Sequence, residues 1–398
     1  MEKKVVVLFS FILIYPFLTL CANVFWTSQQ EENRLTFLIV GGREGSIKRF
    51  GDISMLRQLF YSKEKRRAAE QFLLTIAQKP LSKEQILKQS RLSTEEINDV
   101  TTFLQSLNMI ALKDNMWTTT LPVITGQEMI TLRKNLSPLA DKIALDVSSF
   151  IPQIKNIYAQ NRIASDPEWD EMAHLFISYF LLDISFLRFL RMSENKKGIR
   201  QYYSERQNIL PAFFLELGKN FTNFGCNSYS FSNDEKSTKV YVFVLHGTLF
   251  DRQRILVNMY ENNPDFASAL FKLIPQAKIQ SFSDGEKKVF KAMNWMDKDE
   301  VLVPAMDGSV RKYLMPVVSK AAGTAAEEVF ENFDVILDAF KNSLYSKFLD
   351  GAGDYIQYCY HVLMYLSIEN LVQKGLLPPI PKPTPEYFGI YILYSGIK

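Results

Sequence analysis

The spacing of apolar residues along the 398-residue chain changes repeatedly, and the changes predict its elements. Phe72, Leu73 and Ile76 recur at helical spacing until Pro80, which lacks an amide hydrogen and ends the run. Ser82 and Gln85 form a capping box for a short helix that buries Ile86 and Leu87. After an Arg91-Leu92 turn, Ser93 and Glu96 form a second box, opening a helix with Ile97, Val100, Leu104 and Leu107 on one face. The pattern then becomes that of strands: Met109 to Leu112, a Lys113-Asp114-Asn115 turn, and a return run from Trp117 to Ile124.

Other runs surround this block. Leu35 to Val40, closed by Gly41-Gly42, reads as a strand and a turn, since no phosphate-binding glycine pattern follows. Leu139, Ile143, Val147, Ile151, Ile154 and Tyr158 predict one long helix, kinked at Pro152. Asp166-Pro167 opens another, apolar on nearly all sides through Phe176, Tyr179, Phe180, Ile184, Leu187 and Leu190. Asp183 and Arg188 interrupt it and argue for a protein core over a membrane span. Ser193 to Arg200 and Ser228 to Lys239 are polar and turn-rich, with an apolar helix predicted between them over Ile209 to Phe224.

The second half replays this order. Val240 to Leu245, stopped by His246-Gly247, matches the Leu35 to Val40 strand, and Leu270 to Gln276 matches Phe72 to Gln78. Ser283 to Glu286 repeats the capping box, with Val289, Met293 and Met296 continuing its helix, while only Ala277 to Gln280 remain of the short helix. A hairpin is expected from Val301 through Asp307-Gly308, with Leu314 to Val318 as a return strand matching Thr120 to Ile124. Helices follow over Ala325 to Phe348 and Asp354 to Lys374. Pro378 to Pro385 then forms an extended tether to a final strand or docking segment, Tyr387 to Tyr394.

The block from Arg66 to Thr125 resembles the winged helix-turn-helix domains of ArsR- and MarR-type regulators, with a degenerate copy near residues 265–318. The expected fold class is therefore α+β, mainly α, built from two pseudo-repeated units of winged helix plus helical hairpin. Expected boundaries are a signal peptide at 1–22, a linker at 23–34, a first repeat at 35–192 and a connecting segment at 193–239. A second repeat covers 240–377 and a Pro-rich tail with a terminal strand covers 378–398.

Composition narrows the function classes. With 47% hydrophobic, 13% aromatic and 22% charged residues the chain is globular rather than disordered. Its 46 basic and 43 acidic side chains give +3, which lacks the basic excess of a dedicated nucleic-acid binder. Lys3 and Lys4, the apolar run Val5 to Leu20, and Ala22 read as a secretory signal cleaved after Ala22. An uncleaved membrane anchor is the alternative, and both place the rest of the chain outside the cytoplasm. Cys21, Cys226 and Cys359 have no C-x-x-C spacing, and Cys226 and Cys359 read either as a bonded pair or as free thiols.

A DNA-reading helix needs Arg, Lys, Asn or Gln on its groove face. The helix opening at Thr94 instead begins with Glu95, Glu96 and Asp99, and the basic cluster Lys63, Lys65, Arg66 and Arg67 precedes the motif. The second copy offers Lys287, Lys288, Lys291, Arg311 and Lys312 as candidate nucleic-acid contacts. His174, His246 and His361 are isolated from one another in sequence, and no residue is assigned to catalysis, a cofactor or a metal. His174 and His361 fall at similar places in the two apolar helices and read as core histidines. Tyr355, Tyr358, Tyr360 and Tyr365 read as core aromatics. Glu168, Asp170 and Glu171 read as acids favoured at a helix start.

The first reading is an exported, non-enzymatic protein whose winged helices serve a protein partner or a scaffold, its halves forming an intramolecular pseudo-dimer. The alternatives are a winged-helix DNA-binding regulator and, more weakly, a small-ligand sensor with a pocket between aromatic helices.

Overall fold

Side-chain caps fix where the first helices begin. The computed structural model describes residues 34–39, 63–164, 166–192, 212–217, 225–233, 238–246, 263–272, 282–292, 295–297, 300–301, 303–343, 346, 352–379 and 390–395. The proposed signal peptide, the Gly41-Gly42 turn and the Ala277 to Gln280 remnant lie outside these residues. Strand β1 is Arg34–Ile39. Helix α1 (Lys63–Ile76) precedes α2 (Lys83–Gln89) and α3 (Thr94–Ser106), and both predicted capping boxes are present. Ser82 N donates to Gln85 Oε1 at 2.9 Å and Ser93 N to Glu96 Oε2 at 2.7 Å, so each box closes an otherwise orphaned amide.

The hairpin of β2 (Ile110–Lys113) and β3 (Met116–Thr119) follows, turned by Asp114 and Asn115 at φ 51° and 59°. Two left-handed residues in succession give the turn whose twist suits paired strands. Leu81 exchanges backbone hydrogen bonds with Trp117, at 3.1 and 2.8 Å, and fastens the segment before α2 to the hairpin. Phe72, Leu73, Ile86, Ile97, Val100, Leu104 and Trp117 share one core inside this unit.

Strand β4 (Val123–Ile124) leads through the N-cap Thr125 into α4 (Gly126–Asn161), whose 36 residues run through Pro138 and Pro152. Helix α5 opens as Trp169–His174, widens into a π-helix over Leu175–Ser185, and closes as Phe186–Met192. The segment predicted as a helix at Ile209 to Phe224 instead contains strand β5 (Ala212–Leu217). β5 is the middle strand of a sheet ordered β1-β5-β4 and is hydrogen-bonded on both edges, which suits its apolar composition, broken only by Glu216. The stretch read as a polar turn at Ser228 to Lys239 carries most of β6 (Gly225–Asn233), which pairs antiparallel with β7 (Thr238–His246).

Helices α6 (Pro264–Lys272) and α7 (Asp284–Ala292) come next, the second capped by Ser283 and Glu286 as expected. A short hairpin joins β8 (Met296–Asp297) to β9 (Glu300–Val301), and β10 (Ala305–Asp307) follows. The predicted return strand at Leu314 to Val318 lies inside helix α8 (Arg311–Glu331), followed by α9 (Phe333–Lys341) and α10 (Ala352–Gln373). Leu314, Val318, Ala321, Ala322 and Ala325 all face the core at helical spacing, so burial over the longer window decides against the strand. The final strand β11 (Ile390–Ser395) lies between β7 and β10, in a sheet ordered β10-β11-β7-β6.

The architecture is mainly helical with small sheets. Helices α4 and α5 follow one another, yet α4 packs chiefly against α8 and α10, while α5 packs against α8. Arg133 of α4 bonds Glu369 of α10 at 2.7 Å, Ser367 donates to the Ala140 carbonyl at 3.2 Å, and Lys142 donates to Asn332 at 2.9 Å. The largest core thus joins residues from both halves of the chain.

Candidate functional site

The solvent face of α3 is the surface a winged helix would present to a partner. Glu95, Glu96, Asn98, Asp99, Thr102 and Gln105 are exposed there, and the helix carries no lysine or arginine. The Ser93 amide and hydroxyl hold the Glu96 carboxyl below its usual range, so it keeps its charge in mild acid. Lys83 approaches this face from α2 and donates to Asn98 Oδ1 at 2.6 Å. Beside it the hairpin leaves Leu112 half exposed.

The predicted basic contacts of the second half separate. On α7, Lys288 and Lys291 are exposed and Lys287 is half-buried. At the start of α8, Lys312 is exposed and lies 4.7 Å from the ring of Tyr313. Arg311 does not share that surface: it turns inward, 5.0 Å over the Phe180 ring of α5, with its Nε buried. Helical spacing shows why, because Arg311 precedes Leu314 and Val318 on the apolar stripe of α8. Arg133 occupies the stripe of α4 in the same way, before Leu136 and Ala140. The arginines were detectable by extending the hydrophobic period through charged positions.

The histidines serve local structure. His174 is buried, with Nδ1 2.9 Å from Ser178 Oγ and Nε2 3.0 Å from the Pro378 carbonyl. Burial lowers its proton affinity, although the Pro378 and Pro379 carbonyls work the other way. Neutral imidazole with Nε2–H donating to Pro378 satisfies both partners, and ties α5 to the chain leaving α10. His361 is half-buried, with Nε2 2.7 Å from Tyr360 Oη. Tyr360 in turn reaches toward the buried Asp183 of α5 at 3.5 Å, at the outer limit of a hydrogen bond.

Cys359 is fully buried, and burial pushes its thiol far up, so it behaves as a packing residue. Cys226 lies in β6, with its side chain outside the described residues, as is that of His246 in β7. Among the described residues no group of three or more histidines, cysteines or carboxylates is placed to hold a metal ion. Tyr355, Tyr360 and Tyr365 are buried in the helical core. Glu168, Asp170 and Glu171 stand at the opening of α5, where the Glu168 amide donates to Glu171 at 2.9 Å and Arg162 donates to Glu168 at 2.6 Å.

No protein-family model, curated protein or solved structure matches the chain. Glu95, Glu96 and Asp99 give the exposed face of α3 a negative charge, with no cation on the helix to offset it. The same face suits basic and hydrogen-bonding groups of a protein.

Proposed function

We propose that the chain is an exported, non-enzymatic protein made of two winged-helix units joined as an intramolecular pseudo-dimer, and that it works by docking other proteins. The duplication draws support from the two sheets. In the first, β1 pairs antiparallel with β5 and β5 pairs parallel with β4; in the second, β7 pairs antiparallel with β11 and β11 parallel with β10. In both, the middle strand arrives last, after the long helices. The entry to those helices repeats as well. Leu121-Pro122-Val123-Ile124-Thr125-Gly126 aligns with Val303-Pro304-Ala305-Met306-Asp307-Gly308, and Thr125 and Asp307 both cap the turn that follows.

The helix ends before the two hairpins agree too. Met109 N donates to Leu104 O at 2.9 Å, and Trp295 N donates to Phe290 O at 2.8 Å. Under this register the first wing corresponds to β8 and β9, and β10 is the counterpart of β4. Long helices that pack on the opposite half are what a fused dimer requires.

The observation that carries the docking role is the solvent face of α3, which is acidic and has no basic residue of its own, with Lys83 of α2 at its edge. A photo-crosslinking residue at Asp99 or Gln105 is expected to trap a discrete protein adduct in cells, while the same residue at exposed Lys155 of α4 traps none. Binding of the full chain to duplex DNA over a range of salt concentrations tests the competing reading, in which exposed Lys288 and Lys291 face phosphates. Tight binding that weakens steeply with salt and disappears in Lys288→Glu/Lys291→Glu would overturn the docking proposal. Fusion of residues 1–30 to a reporter active only after translocation tests export, and an inactive fusion refutes it.

A further inference from the structure

Two arginines lie on the buried stripes of the long helices α4 and α8, and their surroundings differ in one respect. Arg133 stands 5.0 Å over the Tyr365 ring and donates from Nη2 to Glu369 Oε2 at 2.7 Å. Arg311 stands at the same 5.0 Å over the Phe180 ring, and among the described residues it makes no ion pair and no hydrogen bond. Each guanidinium also buries one unpartnered nitrogen, Nε of Arg311 and Nη1 of Arg133, so the carboxylate is what separates the two. Burial weakens the hold of Arg311 on its proton, but a guanidinium stays charged throughout the physiological range.

An aromatic ring answers only the face of a guanidinium. The N–H donors lie in its plane and point away from the ring, as a fork that matches two oxygens of a carboxylate or phosphate. Around Arg311 the walls are aromatic. Tyr179 and Phe180 of α5 pack on Phe243 of β7 at 4.9 and 5.4 Å between ring centres, and the Tyr179 and Tyr241 phenols lie close to the guanidinium. Tyr179, Phe180 and Phe243 are buried, whereas Arg311 and Tyr241 retain partial exposure, so the site opens on their side.

We propose that Arg311 anchors a binding site for a small oxyanion, a carboxylate or phosphate group that supplies the partner Glu369 gives to Arg133. This site lies in the helical core and is independent of what α3 docks.

Thermal unfolding of the full chain titrated separately with inorganic phosphate, acetate and benzoate tests the proposal, with sodium chloride at matched ionic strength as the reference. A saturable rise in Tm is expected with at least one probe, and which probe gives it separates a phosphate ligand from a carboxylate. The rise should vanish in Arg311→Met and persist in Arg133→Met.

A second measurement guards against simple loss of structure. Without added anion, Arg311→Met should unfold at or above the wild-type temperature, because it removes a charge whose desolvation is uncompensated, while Arg133→Met should unfold lower, because it strands Glu369. No saturable shift with any probe, a shift that survives in Arg311→Met, or an Arg311→Met protein that unfolds well below wild type would each overturn the proposal.

Discussion

The unit containing α1 to β3 and the unit containing α6 to β9 do the same packing job with different materials. The first builds its core from many aliphatic side chains, with Phe72 and Trp117 as its large members in edge contact, and reaches its neighbouring sheet through Val123 of β4. The second relies on Phe266, Phe290 and Trp295, whose rings lie within 6.5 Å of one another, with Phe282 packed on Phe290 at 5.5 Å, and its core continues into Phe231, Val240, Val242 and Ile392 of the neighbouring sheet. Aromatic rings bury more area per residue, so fewer and shorter elements suffice. Each unit thus touches its own neighbouring sheet, the first through Val123 of β4 and the second through β6, β7 and β11.

The sharpest way to break this contrast is to remove one large side chain from each core. Phe72→Ala and Trp295→Ala, both essentially inaccessible, should each cost about 3–5 kcal/mol. Hydrogen exchange then separates them. Phe72→Ala should speed exchange in α1 to β3 and leave β7 and β11 protected, whereas Trp295→Ala should expose β7 and β11 as well. Equal spreading in both variants would erase the distinction.

A smaller effect comes from the two capping glutamates. Glu96 is exposed, while Glu286 is 2% exposed and accepts from both Lys272 Nζ and Ser283 N at 2.8 Å. Glu286→Ala should therefore cost about 2 kcal/mol in chemical denaturation against about 1 kcal/mol or less for Glu96→Ala. Burial works to raise the Glu286 pKa, but Lys272, Ser268 and the Ser283 amide outweigh it, so the carboxyl sits below its ordinary value of 4.5. A depressed carboxyl contributes stability above pH 4.5 and loses it as pH falls through the lower folded value. The Glu286→Ala variant should accordingly show a flatter acid limb than wild type.

His174 tests the joint between the halves. Its folded pKa lies below 6.5, so its neutral form stabilises the fold above that pH, and the contribution drains as pH falls from 6.5 towards the folded value. Wild type should lose stability over that window in pH-dependent unfolding. His174→Gln should be about 1–2 kcal/mol less stable at pH 7 with that slope removed. A slope retained in the variant would assign it to other groups.

The smallest effect belongs to the first hairpin. Asn115→Gly, at φ 59°, should gain about 0.5 kcal/mol, read as a rise in Tm, because glycine takes that conformation without strain.

What the sequence revealed and what it hid divide on physical lines. Capping boxes and tight turns are written in residues two or three apart, and Ser82, Ser93, Ser283 and the Asp114-Asn115 turn were all found. Apolar runs are ambiguous, because a central strand and a buried helix can share one composition. Ala212 to Leu217 was read as helix and is strand; Leu314 to Val318 was read as strand and is helix. Long-range partners decided both. The same limit hid Arg311, whose charge suggested solvent although its spacing placed it on the buried stripe.

The position of β11 has a consequence for how the protein is made. It lies between β7 and β10, so those two strands have no direct contact to hold them until residues 390–395 are available. A chain emerging from its N-terminus can complete the first sheet once β5 appears, but the second must wait for more than a hundred further residues. Synthesis order therefore becomes folding order for the sheets: the first can close early, whereas the second, like the core that α4 shares with α8 and α10, is completed only when the late segments arrive.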